Sequence, residues 1–504
     1  MYWICEFVMN VILVLFICSL SIYAYFLYSY KYWARRKIPY LEPRFPYGNR
    51  RELLCYTKGF CLELMDLYTQ IKNRGWKFGG FYGVVWPIFM VTDPQYIKDI
   101  LKKDFQYFID RGFYYQKYQP ITHHLFNVDE VLWKNLRTKL TPTFTSGKMK
   151  MMFPLIDQTT EGLLGAIEKS IDKKQDIDSK ECMSMFTIDV IVSCAFGLNS
   201  DCFNDPNHKF RHIGKEILTR RNILELLALI ISNFAPDLAL KMRLPSTKPE
   251  ALKFFKDIIS QTIQYRKENN VKRDDFLQLV MNLMEETQDT DFPFTLDQLV
   301  ANVILFFVAG FDTSSSALNF SLYELARNQD IQDKLRNEIQ DTLKKSDGKL
   351  TYDTLNQMSY LQQVIDESLR LYPSVPILQR KSVKEYTLRD TDKVLEKGTL
   401  ITIPIISLHR DHEYFPNPLQ YDPDRFSPEN KHTLNQDCYL PFGDGPRNCI
   451  GSRFGLMQVK TGLVRILSKY KVNVSPSMKI PVQLDERVFL IQTTEPIFLR
   501  FERV

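Results

Sequence analysis

A chain of 504 residues with 45% hydrophobic and 25% charged residues is ordinary folded material, which excludes a disordered or fibrous protein. Its net charge of +6 is too modest to imply nucleic-acid binding. The nine cysteines include no CxxC pair, so zinc-ribbon and iron–sulfur sites find no support, and their irregular spacing points to reduced, cytosol-facing thiols rather than a disulfide framework.

Phe7 to Tyr30 is a run of 24 residues without charge, long enough for a helix to cross a bilayer. Lys31, Arg35, Arg36 and Lys37 follow at once. Positive charge stays cytoplasmic, so the N-terminus should face the lumen and the rest the cytosol. The rival reading is a cleaved signal peptide. Against it, the basic cluster lies on the wrong side of the run and no small-residue cleavage site follows. Pro39, Pro43 and Pro46 then predict a stiff, extended spacer. Three regions result: an anchor at 1–30, a basic and proline-rich linker at 31–49, and a folded domain at 50–504.

Within the domain, Phe81, Gly83, Val85, Phe89 and Val91 alternate around Trp86-Pro87, which predicts a small β-hairpin. A helix should begin near Pro94. Phe105 to Asp129 is aromatic and irregular, with Phe113, Tyr114, Tyr115, Tyr118 and Phe126. Trp133 and Arg137 stand four apart and share a helix face. From 150 to 290, helical patterns alternate with charged connections. Ile223 to Ile231 is apolar but too short to span a membrane. Arg266 to Asp275 is charge-rich and predicts a solvated turn or helix end.

A long helix is predicted from Thr295, whose spacing to Gln298 is that of a capping box, to about Arg327. Its middle reads Ala309-Gly310-Phe311-Asp312-Thr313-Ser314. Glycine and hydroxyl residues weaken the helical ladder there and predict a local widening. An acid beside an alcohol can relay protons. Leu361, Val364, Ile365 and Leu369 mark a further helix, which carries Glu367 and Arg370 three apart. At a surface such an ion pair contributes about 0–1 kcal/mol. Short strands are predicted at Leu400–Ile405 and Val488–Phe501.

The stretch Pro441-Phe442-Gly443-Asp444-Gly445-Pro446-Arg447-Asn448-Cys449-Ile450-Gly451 is a stiff loop ending in one cysteine. Gly443 and Gly445 permit backbone angles that other residues resist, and Pro446 fixes one more. Such a loop can aim backbone N–H groups at the sulfur and tune a metal-bound thiolate. Ile450, Phe454, Leu456 and Met457 predict a helix just after the cysteine, whose N-terminus favours thiolate over thiol.

Phe442, Gly445, Arg447, Cys449 and Gly451 match every fixed position of Phe-x-x-Gly-x-Arg-x-Cys-x-Gly. In this the chain resembles the cytochromes P450, and the resemblance extends over essentially its whole length. It implies the cytochrome P450 fold, mainly α with a minor β lobe, preceded by one N-terminal transmembrane helix. It implies haem b with Cys449 as axial ligand to the iron. Trp133, Arg137, Arg380, Arg447 and, as a further candidate, Arg111 would be donors to the two haem propionates, with Phe442 also at the haem. Asp312 and Thr313 resemble the family's oxygen-activating motif and would be the catalytic pair that delivers protons. Glu367 and Arg370, with Arg425, would be a structural lock. Ser374 to Leu378 would run beside the haem, Phe489 would touch substrate, and Ile223 to Ile231 would dip into the bilayer.

Phe108 to Tyr115 and Leu140 to Lys148 resemble insect microsomal P450s that process foreign compounds. The implied activity is a monooxygenase that inserts one atom of O2 into a lipophilic small molecule, in xenobiotic metabolism. No strand is followed by G-x-G-x-x-G, so electrons from NADPH would come through a separate NADPH–cytochrome P450 reductase, with cytochrome b5 as a second donor. Lys134, Lys139, Arg453 and Lys460 are the expected docking residues. The implied location is the endoplasmic reticulum membrane, with the domain on its cytosolic face. Rival functions are an endogenous lipid, hormone or terpenoid hydroxylase, a P450-fold isomerase or peroxide-using enzyme, and a non-enzymatic haem carrier.

Overall fold

In a computed structural model, the protein is described over residues 2–54, 59–113, 120–205, 207–218, 231, 236–242, 244, 249–289, 293–485 and 490–504. Helix α1 (Tyr2–Ser29) is long and apolar enough to cross a membrane and buries none of its residues in the protein. A helix that is apolar all round needs cover, and here the protein does not supply it.

Within the stiff, extended spacer that the prolines predict, residues 33–41 pack onto the folded domain. Trp33 is completely buried, and Ile38 and Leu41 are buried with it. The indole sits on Gly80, where a Cβ would fall 2.5 Å from the ring. The Gly80 N–H donates to the Pro39 carbonyl at 2.8 Å, and the Leu41 N–H donates to the Gly80 carbonyl at 2.9 Å. Burying one tryptophan removes roughly 200 Å² from water. At about 25 cal/mol per Å² that is roughly 5 kcal/mol, enough to offset the ordering of a few residues.

Strands β1 (Phe78–Gly83) and β2 (Trp86–Val91) form the predicted hairpin, with Phe78 opposite Val91 and Gly83 opposite Trp86. The turn lies at Val84-Val85, with Val84 left-handed at φ +70°, rather than at Trp86-Pro87. A second small sheet begins with β3 (Ile177–Asp178). Further on, β4 (Leu378–Lys381) and β5 (Leu400–Ile403) join the hairpin in the order β1-β2-β5-β4, with β2 and β5 parallel. The strand predicted to reach Ile405 stops at Ile403 before Pro404, and Ile405 opens a short helix instead. At the chain's end, β6 (Tyr470–Val474) and β7 (Phe498–Arg503) complete the sheet begun by β3, with β7 in the middle. Of the predicted strand 488–501, the described residues form strand only from Phe498 onward, in β7.

The body is helical: α2 (Glu130–Leu140), α3 (Ser146–Asp172), α4 (Ser179–Ile191), α5 (Leu296–Arg327), α6 (Ser359–Leu371) and α7 (Ser452–Leu467) surround one core. Helix α5 runs through its middle. The Gln298 N–H donates to Thr295 Oγ1, and the Thr295 N–H donates to the Gln298 side chain, each at 3.2 Å, which is the predicted capping box. By length and apolarity α5 would also pass for a membrane span, but it is mostly buried and is a core helix. It continues as α-helix through Gly310, without the predicted widening. A Cβ at Gly310 would lie 2.6 Å from Ile191 Cδ1, so this glycine lets α4 and α5 approach closely.

Arg266 and Asp275 are not solvated. Their side chains are buried and paired, with Arg266 Nη2 2.5 Å from Asp275 Oδ2. Asp275 also accepts the Gln278 N–H at the start of the helix Phe276–Glu286. Opposite charge and helix capping together make the burial tolerable. Glu367 and Arg370 on α6 form the expected lock. Both are fully buried, Arg370 donates twice to the Glu367 carboxylate at 2.7 Å, and Arg425 Nε lies 3.4 Å from it. Residues 223–230, Phe489, Tyr114, Tyr115 and Tyr118 fall outside the described residues.

Candidate functional site

A cavity between α5 and the loop before α7 is lined by Arg111, Trp133, Arg137, Thr313, Arg380, Phe442, Arg447 and Cys449. Of the site residues expected from the sequence, Asp312 alone does not line it.

The cysteine loop has the shape its glycines allow. Gly443 and Gly445 have φ of +67° and +71°. A Cβ at Gly445 would overlap the Leu101 carbonyl, a backbone group that cannot swing aside. The Cys449 N–H donates to the Phe442 carbonyl at 2.8 Å, and the Asn448 N–H to the Gly445 carbonyl at 3.1 Å. These bonds present Cys449 to the cavity. Its side chain is exposed into the cavity. Desolvation by the surrounding protein pushes the thiol up, while the Gly451 N–H and the charges of Arg111 and Arg137 oppose the shift. A metal cation at the sulfur would deprotonate it.

Three guanidiniums brace the loop. Arg137 on α2 donates to the Asn448 carbonyl at 2.8 Å and to Asn448 Oδ1 at 2.7 Å. Arg111 Nη2 donates to the Arg447 carbonyl at 2.9 Å. Arg447 Nη2 donates to the Val128 carbonyl at 2.7 Å, and its guanidinium carbon lies 4.6 Å from the Trp133 ring centre, a cation–π contact. Trp133 and Arg137, on one helix face, thus hold two parts of the loop. Arg380 is buried while Lys381 is exposed, as strand alternation requires of β4.

Much of this donor capacity is unused. Arg380 Nε and Nη2, Arg447 Nε and Arg111 Nε are buried without a hydrogen-bond partner among the described residues. Burial and mutual repulsion lower Arg380 well below the usual arginine range, Arg447 to about 9 and Arg111 to about 10. An unpaired buried donor costs about 1–3 kcal/mol, and more when charged. The cavity therefore calls for an anion with several oxygen acceptors. Phe306, Ala309, Ile377, Leu378 and Phe442 supply apolar walls. Two carboxylates, a flat apolar ring and a thiolate-seeking metal are the features of a haem, and the residues present fit one.

On α5, Ala309, Gly310 and Thr313 line the cavity. Thr313 Oγ1 donates to the Ala309 carbonyl at 2.6 Å, which leaves the oxygen lone pairs to accept. Asp312 turns away, because adjacent helical residues point about 100° apart. Its Oδ1 accepts from Lys180 Nζ at 2.8 Å, and its buried Oδ2 has no partner among the described residues. Lys180 also donates to Ser315 Oγ at 2.8 Å and Ser316 Oγ at 2.7 Å. Nothing in the sequence singles out Lys180, which reaches Asp312 only through the packing of α4 on α5. Ser374, Val375, Ile377 and Leu378 line the cavity as expected, and Ser374 Oγ donates to the Thr313 carbonyl at 3.2 Å.

Lys460, an expected docking residue, is buried, and burial lowers its pKa. On α7 it points into the core rather than to solvent. Lys134 and Arg453 are exposed, and Lys139 is half-buried.

The sequence model of the family described as "Cytochrome P450" matches residues 60–501. The chain is 40% identical over 510 residues to cytochrome P450 6a2 of Drosophila melanogaster, with 98% of this chain and 100% of that protein covered. It is 37% identical over 500 residues to cytochrome P450 6k1 of Blattella germanica, with 95% and 94% covered.

Proposed function

Since the chain belongs to the cytochrome P450 family, and is by that membership a haem-thiolate monooxygenase, we propose that it oxidises a lipophilic foreign compound at the cavity beneath α5, with Cys449 as the axial ligand. The observation that carries the assignment of residues is the set of unpartnered guanidinium nitrogens on Arg380, Arg447 and Arg111 in the same cavity as Cys449. Arg380, Arg447 and Arg111 would hold the propionates, with Arg111 and Trp133 also bracing Arg447, and Arg137 braces the cysteine loop. Haem b is the form proposed, because the propionates and the thiolate account for the donors present. When bound, the haem iron activates O2 with electrons from a redox partner, and the thiolate pushes electron density that favours O–O cleavage.

The chain's own residues bind substrate, keep out bulk water and move protons. Phe113, Phe126 and Phe306 give the cavity an aromatic, lipophilic lining. Thr313 Oγ1 accepts a hydrogen bond from a water and orients it, and the Asp312 carboxylate takes a proton from the Lys180 ammonium and passes it on, with Lys180 reprotonated from solvent. The intact Asp312-Thr313 pair favours the monooxygenase over an isomerase or a peroxide-using enzyme. Residues 1–30 are the anchor. The packing of Trp33, Ile38 and Leu41 favours placing the start of the catalytic domain near residue 32 rather than at 50.

The electron donor proposed is NADPH–cytochrome P450 reductase, with cytochrome b5 as a second donor. It docks on basic residues that include the exposed Lys134 and Arg453. Lys31, Arg35, Arg36 and Lys37 follow α1, which supports a cytosolic domain, and the membrane proposed is that of the endoplasmic reticulum.

Cys449→Ala tests the assignment. The expected result is loss of the thiolate signature in the reduced, carbon monoxide-bound spectrum, and a variant that keeps it overturns the ligand. Product analysis with reconstituted reductase and a chemically varied panel tests the substrate class. Turnover confined to steroids or fatty acids would replace the xenobiotic reading with an endogenous one.

A further inference from the structure

Residues 125–128 are tied down at both ends. The Leu125 N–H donates to Asn302 Oδ1 on α5 at 3.0 Å, and the Val128 carbonyl accepts from Arg447 Nη2 at 2.7 Å. Between those ties stands Phe126, which is exposed and lines the cavity. Its backbone is fixed on both flanks, so its ring has a set place.

That ring meets Arg111. The Arg111 guanidinium carbon lies 4.2 Å from the Phe126 ring centre, a cation–π contact. The segment that carries Arg111 is fixed as well, because the Lys381 N–H on β4 donates to the Asp110 carbonyl at 2.7 Å. Gly112, left-handed at φ +77°, then turns the chain, and Phe113 reaches the same ring at 5.2 Å between centres. A guanidinium that stacks on a ring uses its face and keeps its edge donors free. One of these, Arg111 Nη2, holds the Arg447 carbonyl at 2.9 Å, and Nε is buried without a partner among the described residues. The ring therefore supports the charge of Arg111 and leaves Nε for an oxygen acceptor.

We propose that Phe126 is a positioning residue for the haem: its ring holds the Arg111 guanidinium against a haem carboxylate and so raises the reduction potential of the iron. This rests on the reading that Arg111 helps to hold the propionates. A carboxylate whose charge is balanced opposes less the arrival of an electron at the iron beside it.

The test is the midpoint potential of the full-length holoenzyme, titrated spectroscopically without substrate. Phe126→Leu should lower it, because the ring that holds Arg111 is gone. Phe126→Trp keeps a π face and should stay at or above the parent's value, while Phe113→Leu should match the parent. Arg111→Leu should lower the potential at least as far as Phe126→Leu, and adding Phe126→Leu to it should give no further shift. An unchanged potential in Phe126→Leu, an equal fall in Phe126→Trp or Phe113→Leu, or additive shifts in the double variant overturns the proposal. The rate of haem transfer to apomyoglobin separates the two readings. If Arg111→Leu speeds transfer while Phe126→Leu leaves the potential alone, only the role of Phe126 falls. If Arg111→Leu changes neither transfer nor potential, Arg111 holds no carboxylate and both readings fall.

Discussion

Lys180 Nζ lies 2.8 Å from Asp312 Oδ1, across the packed faces of α4 and α5 and 132 residues away along the chain. The lysine is partly exposed and the aspartate is buried, so the pair connects solvent to the helix that lines the cavity. Lys180 has three protons and four acceptors: the Asp312 carboxylate, the Asp312 carbonyl, and the hydroxyls of Ser315 and Ser316. Such an oversubscribed ammonium can release one partner and keep the others.

Lys180→Met leaves the Asp312 carboxylate buried without its cation and breaks the link between solvent and α5. Product per NADPH should fall several-fold while haem content stays normal. Lys180→Arg should restore coupling in part. Unchanged coupling in Lys180→Met would remove Lys180 from proton delivery.

Thr313→Ala removes the cavity hydroxyl but keeps a good helix former, so the fold and the carbon monoxide spectrum should survive. NADPH consumption should continue while product per NADPH falls by about tenfold or more and hydrogen peroxide rises. Parallel assays of NADPH, product and peroxide give the answer. Unchanged coupling makes Thr313 a helix residue whose hydroxyl serves only the Ala309 carbonyl.

Arg380→Leu takes away the guanidinium with two unpartnered nitrogens. Charged hydrogen bonds are worth about 1.5–3 kcal/mol, so haem affinity should fall by roughly 10- to 150-fold. The rate of haem transfer to apomyoglobin measures this without reference to turnover. A transfer rate equal to the parent's would show that Arg380 does not hold a carboxylate.

His409 predicts a pH dependence of stability. It is completely buried, accepts the Leu440 N–H on Nε2 at 2.9 Å, and contacts the Arg370 carbonyl through Nδ1 at 3.1 Å, which requires the neutral ring with its proton on Nδ1. Burial, with the Arg370 charge, lowers its pKa to about 3. The unfolded chain binds a proton near pH 6.5 that the folded chain refuses. Stability contributed by neutral His409 is therefore present above pH 6.5 and lost as pH falls toward 3, by about 1.4 kcal/mol per pH unit. His409→Gln can keep one donor and one acceptor but cannot titrate. Denaturant unfolding between pH 6.5 and 5 should show a slope shallower by about one proton. Equal slopes would mean that His409 does not control the acid limb.

The features legible in the sequence are local ones. The capping box at Thr295 and Gln298, the apolar run of α1 and the Gly443 and Gly445 turn follow from neighbours a few residues apart, and each appears where its pattern places it. What the sequence missed required, each time, a partner from elsewhere in the chain. Pro39, Pro43 and Pro46 read as a spacer, and nothing nearby shows Trp33 meeting Gly80. Arg266 and Asp275 read as solvated because their pairing depends on a turn closing between two helices. Gly310 read as a weak point in a helix, whereas Ile191 on α4 gives the reason for it. Lys460 read as a surface charge because its face of α7 shows only once the core has formed.

By itself the sequence determined the cysteine loop and the membrane-length helix, because backbone angles and periodicity are properties of short stretches, and the set of cavity residues came from the resemblance of its motifs to those of the cytochromes P450. Tertiary structure alone decided which way those residues point. It set Thr313 toward the cavity and Asp312 onto Lys180, and it left Arg380 with donors that nothing among the described residues satisfies. Direction and pairing depend on which surfaces meet in three dimensions, and the residues that meet here are separated by up to hundreds of positions along the chain.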